Sequence, residues 1–218
     1  MRTPALPLAL AASLLCAPPA FALSEFGIEG MGVVSTKADE TRASVSADGR
    51  RIVWASPDRA GGPGGGDLWQ ATLRDGRWVD PQPLPVPLNS PDADGDPFFS
   101  ADGHWLYFAS DRAGGHGGSD LYRAPVLADG RYGPPQNLGA AVNSRGDERA
   151  PTLSLDGTRL LFASDGHGGA GGMDLFVARL QGQAFGQPQA LEGINSADDE
   201  TDAAWLGDGR ALVFARAR

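Results

Sequence analysis

Short apolar stretches bounded by turn residues recur along this chain at a fixed interval. Each of the first three copies has an Asp-Gly pair, an apolar run, a glycine-rich loop and then a second apolar run, and a fourth copy has the pair and the first run. The aspartates of the Asp-Gly pairs are Asp48, Asp102, Asp156 and Asp208, and they lie 54, 54 and 52 residues apart. A repeat of this length indicates one supersecondary unit copied several times, with each copy burying its apolar face against the next.

The second copy shows which elements one unit contains. A short run at 96–100 precedes the Asp102-Gly103 turn, and the run WLYFA at 105–109 is apolar throughout. Asp-Gly supplies the positive φ of a two-residue hairpin turn, and an unbroken apolar run is typical of a strand buried on both faces. The segment 120–124 predicts a third strand. The proline-rich segment 132–138 predicts a weaker outer strand, because proline is tolerated at a sheet edge.

Four strands per copy predict a propeller blade, and no helical pattern of useful length appears after the leader. We therefore expect an all-β fold, a small β-propeller of about four blades of four-stranded antiparallel sheet with the last blade incomplete. The blade repeats span about 40–93, 94–147, 148–199 and, in part, 200–218. Stacked sheets of another kind are the alternative.

The last copy carries two apolar runs, at 200–206 and 210–215, and closure of the fold is therefore an open point. Residues 26–35 resemble an outer strand and could help to complete this blade. We expect either a small imperfect four-bladed ring or an open array whose edge another chain covers, because unpaired strand edges associate. A homodimer, a partner that completes the last blade, and a fragment of a larger propeller protein all follow from this pattern.

Residues 1–22 predict a cleaved signal peptide. Arg2 is followed by an apolar segment at 6–15 that is too short to span a membrane, and Ala20-Phe21-Ala22 is a small-residue cleavage signal. Cleavage after Ala22 would remove Cys16, the single cysteine of the chain, and leave a domain at 23–218. We expect a periplasmic or secreted protein that does not span the membrane.

The charge of the chain argues against one class of partner. There are 27 acidic and 18 Lys or Arg residues, for a net charge of -9. Phosphate binding needs clustered basic residues, so we expect no nucleic-acid partner.

The repeat is similar to that of a known family. The stretch 99–112, FSADGHWLYFASDR, resembles the TolB-type, WD-repeat-like propeller motif of bacterial envelope proteins. Its continuation at 114–122, GGHGGSDLY, is similar to the variety often fused to OmpA-like, peptidoglycan-binding domains. The resemblance implies a propeller fold and leaves the function wide, because such propellers serve many tasks.

A carboxylate recurs eight residues before each Asp-Gly aspartate. These residues are Glu40, Asp94, Glu148 and Glu200. If the first strand of each blade lines the axis, the four side chains ring one mouth of the channel, where they would bind a cation or a basic ligand. In the other interpretation each carboxylate caps its own turn or accepts a bond from a nearby backbone N–H. Arg112 and His116, on the same face, are further candidates for ligand contact.

Each glycine-rich loop has an aspartate at both ends, nine residues apart. The three pairs are Asp58 and Asp67, Asp111 and Asp120, and Asp165 and Asp174. Calcium favours several such oxygen ligands, so these six side chains are candidate metal ligands. In the alternative, the glycines supply positive φ and the final aspartate holds the loop through backbone hydrogen bonds, with no cofactor.

These features favour binding over catalysis. No Gly-x-Ser-x-Gly or His-Glu-x-x-His motif is present, so we predict no catalytic residue. We expect an exported, non-enzymatic propeller that binds a protein or a peptidoglycan or other envelope component through its glycine-rich acidic loop face. The alternative is a glycan-active lyase or hydrolase with paired carboxylates at the channel mouth.

Overall fold

A computed structural model describes residue 30, residues 32–207 and residues 209–217 of the chain. Within these ranges the regular secondary structure is all β-strand. The predicted signal peptide at 1–22 lies outside the described residues. Along the described stretch, no helix is long and apolar enough to cross a bilayer.

The strands form four antiparallel sheets that follow one another along the chain. The first sheet has the order β1-β2-β3-β4, with strands Thr41–Val45, Arg51–Ser56, Asp67–Arg74 and Arg77–Pro83. The second has the order β5-β6-β7-β8, with strands Asp94–Phe99, Trp105–Ser110, Asp120–Pro125 and Gln136–Asn137. These meanders confirm the predicted all-β propeller with blades of four strands.

The third and fourth sheets vary this plan. In the third sheet, β9 (Glu148–Leu153), β10 (Arg159–Ser164) and β11 (Asp174–Gln181) are followed by two short pieces, β12 (Ala184–Phe185) and β13 (Gln189–Ala190), that both pair with β11. In the fourth, β14 (Asp199–Leu206) pairs with β15 (Ala211–Ala217).

Alternation of side chains along the second strand of each blade builds the core. Leu106 and Phe108 of β6 pack with Val53 in the cluster between the first and second sheets. Tyr107, one residue out of phase, packs with Leu160 between the second and third sheets. Both faces of β6 are therefore buried, as its unbroken apolar run predicts.

The inner hairpins are wider than the two-residue turn predicted from Asp-Gly. Residues 46–50 connect β1 to β2. Within this loop Ser46 donates its hydroxyl to the Asp48 carboxylate at 2.5 Å and accepts the Arg51 N–H at 3.0 Å, and these two bonds hold the wider turn. Gly49 has the positive φ that was expected, at 68°. The outer strand β8 is also shorter than predicted, since Pro134 and Pro135 just before it have no N–H to donate.

The segment at 32–35 lies on the first sheet rather than on the fourth. Val34 packs with Ile52, Trp54 and Trp69 of that sheet, and residues 26–29 lie outside the described part. Val34 occupies the repeat position of Leu88, which fills the space between the first and second sheets. This part of the segment therefore covers an apolar sheet face instead of adding a strand to the last blade.

One repeat position links the inner strands around the axis. Its four occupants are Arg42, Asp96, Ala150 and Asp202, and all have a positive φ of 44° to 60°. Arg42 binds Asp96 of the second sheet at 3.1 Å and also binds Asp202 of the fourth. Asp96 in turn accepts the N–H of Ala150 at 3.0 Å. Blades one and four therefore meet at the centre. Burial lowers the pKa of Arg42, and the charge of Asp96 opposes that shift.

Candidate functional site

The four recurring carboxylates share one local geometry. Each accepts hydrogen bonds from the backbone N–H and the hydroxyl of the residue four positions earlier. The pairs are Thr36–Glu40, Ser90–Asp94, Ser144–Glu148 and Ser196–Glu200. Asp94, Glu148 and Glu200 are 3%, 0% and 0% exposed, whereas Glu40 is half-buried. This geometry matches the interpretation in which each carboxylate caps its own turn. The carboxylates therefore point toward the backbone of that turn instead of toward solvent.

Cationic side chains complete two of these buried sites. Arg112 contacts Asp94 at 2.7 Å, and Arg216 contacts Glu200 at 2.6 Å. Burial by itself would raise the pKa of Glu200, yet the bonds from Ser196 and Arg216 bring that pKa below its usual value.

Arg112 is further fixed by the fold. It donates to the carbonyl of Pro87 at 2.9 Å and lies over the rings of Phe108 and Tyr122, 5.2 and 5.0 Å from their centroids. Its side chain is 14% exposed. Arg112 therefore joins the first blade to the second rather than offering its guanidinium to solvent.

The two aspartates of each glycine-rich loop lie in different environments. The second member is buried in every loop: Asp67, Asp120 and Asp174 are 3%, 0% and 1% exposed. The first members, Asp58, Asp111 and Asp165, are exposed. Within the described ranges no three His, Cys, Asp or Glu side chains come together as a metal site. Calcium binding thus stays a prediction drawn from spacing alone.

Asp120 shows how the buried member holds its loop. Its carboxylate accepts the backbone N–H of His116 at 2.7 Å and the side-chain amide of Asn137 at 2.7 Å. A Cβ placed on Gly115 would lie 2.4 Å from this carboxylate, so glycine is required for the close approach. His116 thus contributes its backbone to the fold, while the residue itself is exposed.

In the first and third loops one carboxylate oxygen is left without a partner. Asp67 Oδ1 and Asp174 Oδ1 are buried and accept no hydrogen bond from the described residues. The sheet register accounts for part of the difference, because Pro83 and Ala190 stand at the position from which Asn137 donates to Asp120 in the second blade. Burial raises the pKa of Asp67, a bond from the Gly64 N–H opposes the shift, and the charge of Asp94 adds to it.

A cleft of about 160 Å³ opens between the first three blades on the face that carries these loops. Polar groups line much of it: Thr41, Asp94, Asp96, Asp111, Ser119 and Arg149. Of the candidates predicted from the sequence, Asp94 and Asp111 reach this cleft, and Glu148, Glu200, Arg112 and His116 are not in its lining. Thr41 and Ser119 also line the cleft, and the sequence did not predict them as site residues. Their proximity depends on how neighbouring blades approach each other.

Exposed carboxylates lie on the loops and connections of the same face. They are Asp39, Asp58, Asp92, Asp111, Asp165 and Asp199. Lys37, Arg145 and Arg149 are the exposed basic residues in the same connections. The face as described is therefore predominantly acidic, in line with the net charge of the chain.

The four-stranded antiparallel sheets make the chain a β-propeller, and solved TolB structures have a similar fold. TolB from Acinetobacter baumannii superposes with a TM-score of 0.56 at 17% identity, over 83% of this chain and 38% of that one. The putative TolB from Agrobacterium tumefaciens gives a TM-score of 0.50 at 19% identity, over 71% of this chain and 50% of that one. The chain thus spans half or less of these proteins. At this identity the likeness defines the fold alone.

A third similar structure belongs to a different class of protein. A puromycin-hydrolyzing peptidase from Mycobacterium tuberculosis gives a TM-score of 0.55 at 18% identity, over 84% of this chain and 26% of that one. No protein-family model matches the chain. No curated protein matches it in sequence either.

Proposed function

We propose that this chain is an exported, non-enzymatic propeller that binds a protein partner of the cell envelope through its glycine-rich acidic face. The observation that carries the proposal is the excess of exposed carboxylates on the face that also carries the polar cleft between the first three blades. An acidic face attracts a basic partner over several ångströms and speeds the encounter. Export rests on the signal-like leader at 1–22.

The surface we assign to binding differs from the carboxylates that recur before the Asp-Gly turns. Asp94, Glu148 and Glu200 are buried and already hydrogen-bonded, so their removal would damage the fold together with any binding. Asp92 and Asp111 are exposed side chains on the same face. These two can be changed to asparagine with the fold kept, because exposed substitutions cost little.

Capture from an envelope extract tests this assignment. The wild-type chain is compared with the double variant D92N/D111N and with the control D75N/D129N, which removes two exposed charges from the outer hairpins of the opposite face. We expect proteins retained by the wild type and by the control, released by salt, and lost in D92N/D111N. Equal capture by all three proteins, or capture by none, would contradict the proposal.

The glycan-active alternative would need two carboxylates free to act as acid and base across one cleft. Two carboxylates that line the cleft already bind arginine: Asp94 binds Arg112 and Asp96 binds Arg42. We therefore rank the binding role first. Turnover of peptidoglycan fragments or of acidic polysaccharides by the purified protein would reverse that order.

A further inference from the structure

The face of the propeller that carries the Asp-Gly hairpins has grooves between neighbouring blades, and two of them are filled in the same way. Arg51, the first residue of β2, reaches into the second blade, lies 5.7 Å from the Phe99 centroid and 5.5 Å from the Tyr132 centroid, and donates to the Gly130 carbonyl at 2.6 Å. Its repeat equivalent Arg159 does the same toward the fourth blade. An arginine thus closes the first and the third groove.

Arg159 shows that the arrangement is a repeated device. Its guanidinium lies 4.2 Å from the Trp205 centroid, and it donates to the Gly209 carbonyl at 3.0 Å. Both arginines therefore stack on an aromatic ring of the next blade and bond to a hairpin carbonyl of that blade. Stacking and hydrogen bonding together hold each side chain in its groove.

At the groove between the second and third blades, the crossing arginine comes from a different strand. Trp105 stands at the repeat position of Arg51 and Arg159. Arg123, from the neighbouring strand of the same blade, stacks on Trp105 at 4.2 Å and donates to the Gln183 carbonyl at 3.2 Å. A cavity of about 130 Å³ remains beside them, with Tyr107 and Phe185 in its lining.

Two exposed leucines lie at this groove. Leu155, in the inner hairpin of the third blade, is 74% exposed, and Leu180 is 38% exposed. The positions equivalent to Leu155 in the first two blades are occupied by Ala47 and Ala101. The large exposed side chain therefore occurs beside the groove in which Trp105 replaces the arginine of β2 and a cavity remains, as expected of an interaction surface.

Two carboxylates flank the same groove. Asp102 and Asp156 accept short hydrogen bonds from Ser100 and Ser154, each at 2.5 Å. The bonds from Ser154 and Thr158 lower the pKa of Asp156 to about 2, so this side chain is ionised at neutral pH. Among the residues that line the groove, the basic side chain is Arg123, and its guanidinium already lies on Trp105. The groove therefore combines apolar side chains with two carboxylates.

We propose that this groove docks a peptide segment in which an apolar side chain is flanked by Lys or Arg. The apolar side chain would contact Leu155, Leu180 and Phe185, and the basic residues would pair with Asp102 and Asp156. A sugar ring fits less well, because the Trp105 face on which it would stack is covered by Arg123. This surface lies opposite the glycine-rich acidic face, so it is a second binding site that does not depend on the proposed function.

An NMR titration tests the site directly. The ¹⁵N-labelled protein is titrated with the peptide acetyl-Lys-Leu-Leu-Lys-amide, and the backbone amides of residues 100–107 and 153–157 are followed. We expect shifts confined to these segments and to 180–185. Acetyl-Glu-Leu-Leu-Glu-amide and acetyl-Lys-Ser-Ser-Lys-amide should shift them far less, because each lacks one half of the recognised chemistry.

Two variants and one control separate docking from folding. L155A places at this hairpin the residue found in the first two blades, and we expect the peptide to bind it at least about fivefold more weakly, because an apolar contact is removed. W105R introduces the closing arginine of the other grooves and should abolish binding; L155A still tests the site if W105R does not fold. L127A, at an exposed leucine outside the groove, should bind as the wild type does. Unchanged affinity in L155A, shifts on the glycine-rich face, or no shifts with the Lys-Leu-Leu-Lys peptide would overturn the proposal.

Discussion

Removal of the Glu148 carboxylate should destabilise the propeller strongly. Glu148 is 0% exposed and accepts bonds from the Ser144 N–H at 2.8 Å, from the Ser144 hydroxyl and from the Ser164 hydroxyl at 2.7 Å. In the variant E148A these three donors would lose their acceptor, with the Ser164 hydroxyl buried and the two Ser144 donors partly buried. At about 1–2 kcal/mol for each unsatisfied donor, the loss in unfolding free energy is about 3–6 kcal/mol.

The matched control is the same motif at the chain's first repeat. Glu40 accepts the same pair of bonds from Thr36, but these bonds are exposed to solvent. Water can therefore replace the carboxylate in the variant E40A, and we expect a loss of about 1 kcal/mol or less.

Urea unfolding followed by circular dichroism measures both variants. With a slope of about 2 kcal/mol per molar urea, the E148A midpoint should fall by about 2 M and the E40A midpoint by about 0.5 M or less. Equal shifts in the two variants would refute the reasoning, since burial is the property that separates them. A loss below about 1 kcal/mol in E148A would show that the three donors find other partners.

Two further predictions concern the buried carboxylate of Asp67. Burial raises the pKa of Asp67 in the folded state, so the wild type loses stability as the pH rises from the ordinary carboxyl pKa to the raised one. The stability of the variant D67N relative to the wild type should therefore increase with pH over that interval, and a difference that is flat with pH would contradict this. A Cβ at Gly62 would lie 1.8 Å from the Asp67 carboxylate, so the variant G62A should lower the unfolding free energy by about 1–3 kcal/mol. In the control G65A the new Cβ meets nothing closer than 3.8 Å, so the unfolding free energy should stay within about 0.5 kcal/mol of the wild type. Equal melting temperatures for the two variants would count against the close approach at Gly62.

Much of the fold could be predicted from local patterns alone. The unbroken apolar run of β6 indicates a strand buried on both faces, and the Asp-Gly pairs indicate a positive φ, which Gly49 and Gly103 adopt. Such features depend on the residues themselves and on their immediate neighbours. The length of the inner hairpins was misjudged, because the Ser46 hydroxyl adds a bond that the Asp-Gly pair does not reveal.

The direction of the charged side chains was decided by the tertiary structure. The recurrence of Glu148 and its equivalents is visible in the sequence, but whether they face a channel or cap a turn depends on the approach of Ser164 and of the next blade. The link from Arg42 to both Asp96 and Asp202 likewise joins residues 54 and 160 positions apart in the chain. A repeat shows that positions are equivalent within each copy. The repeat does not specify the distances between residues of different copies, and the electrostatic contacts between the blades depend on those distances.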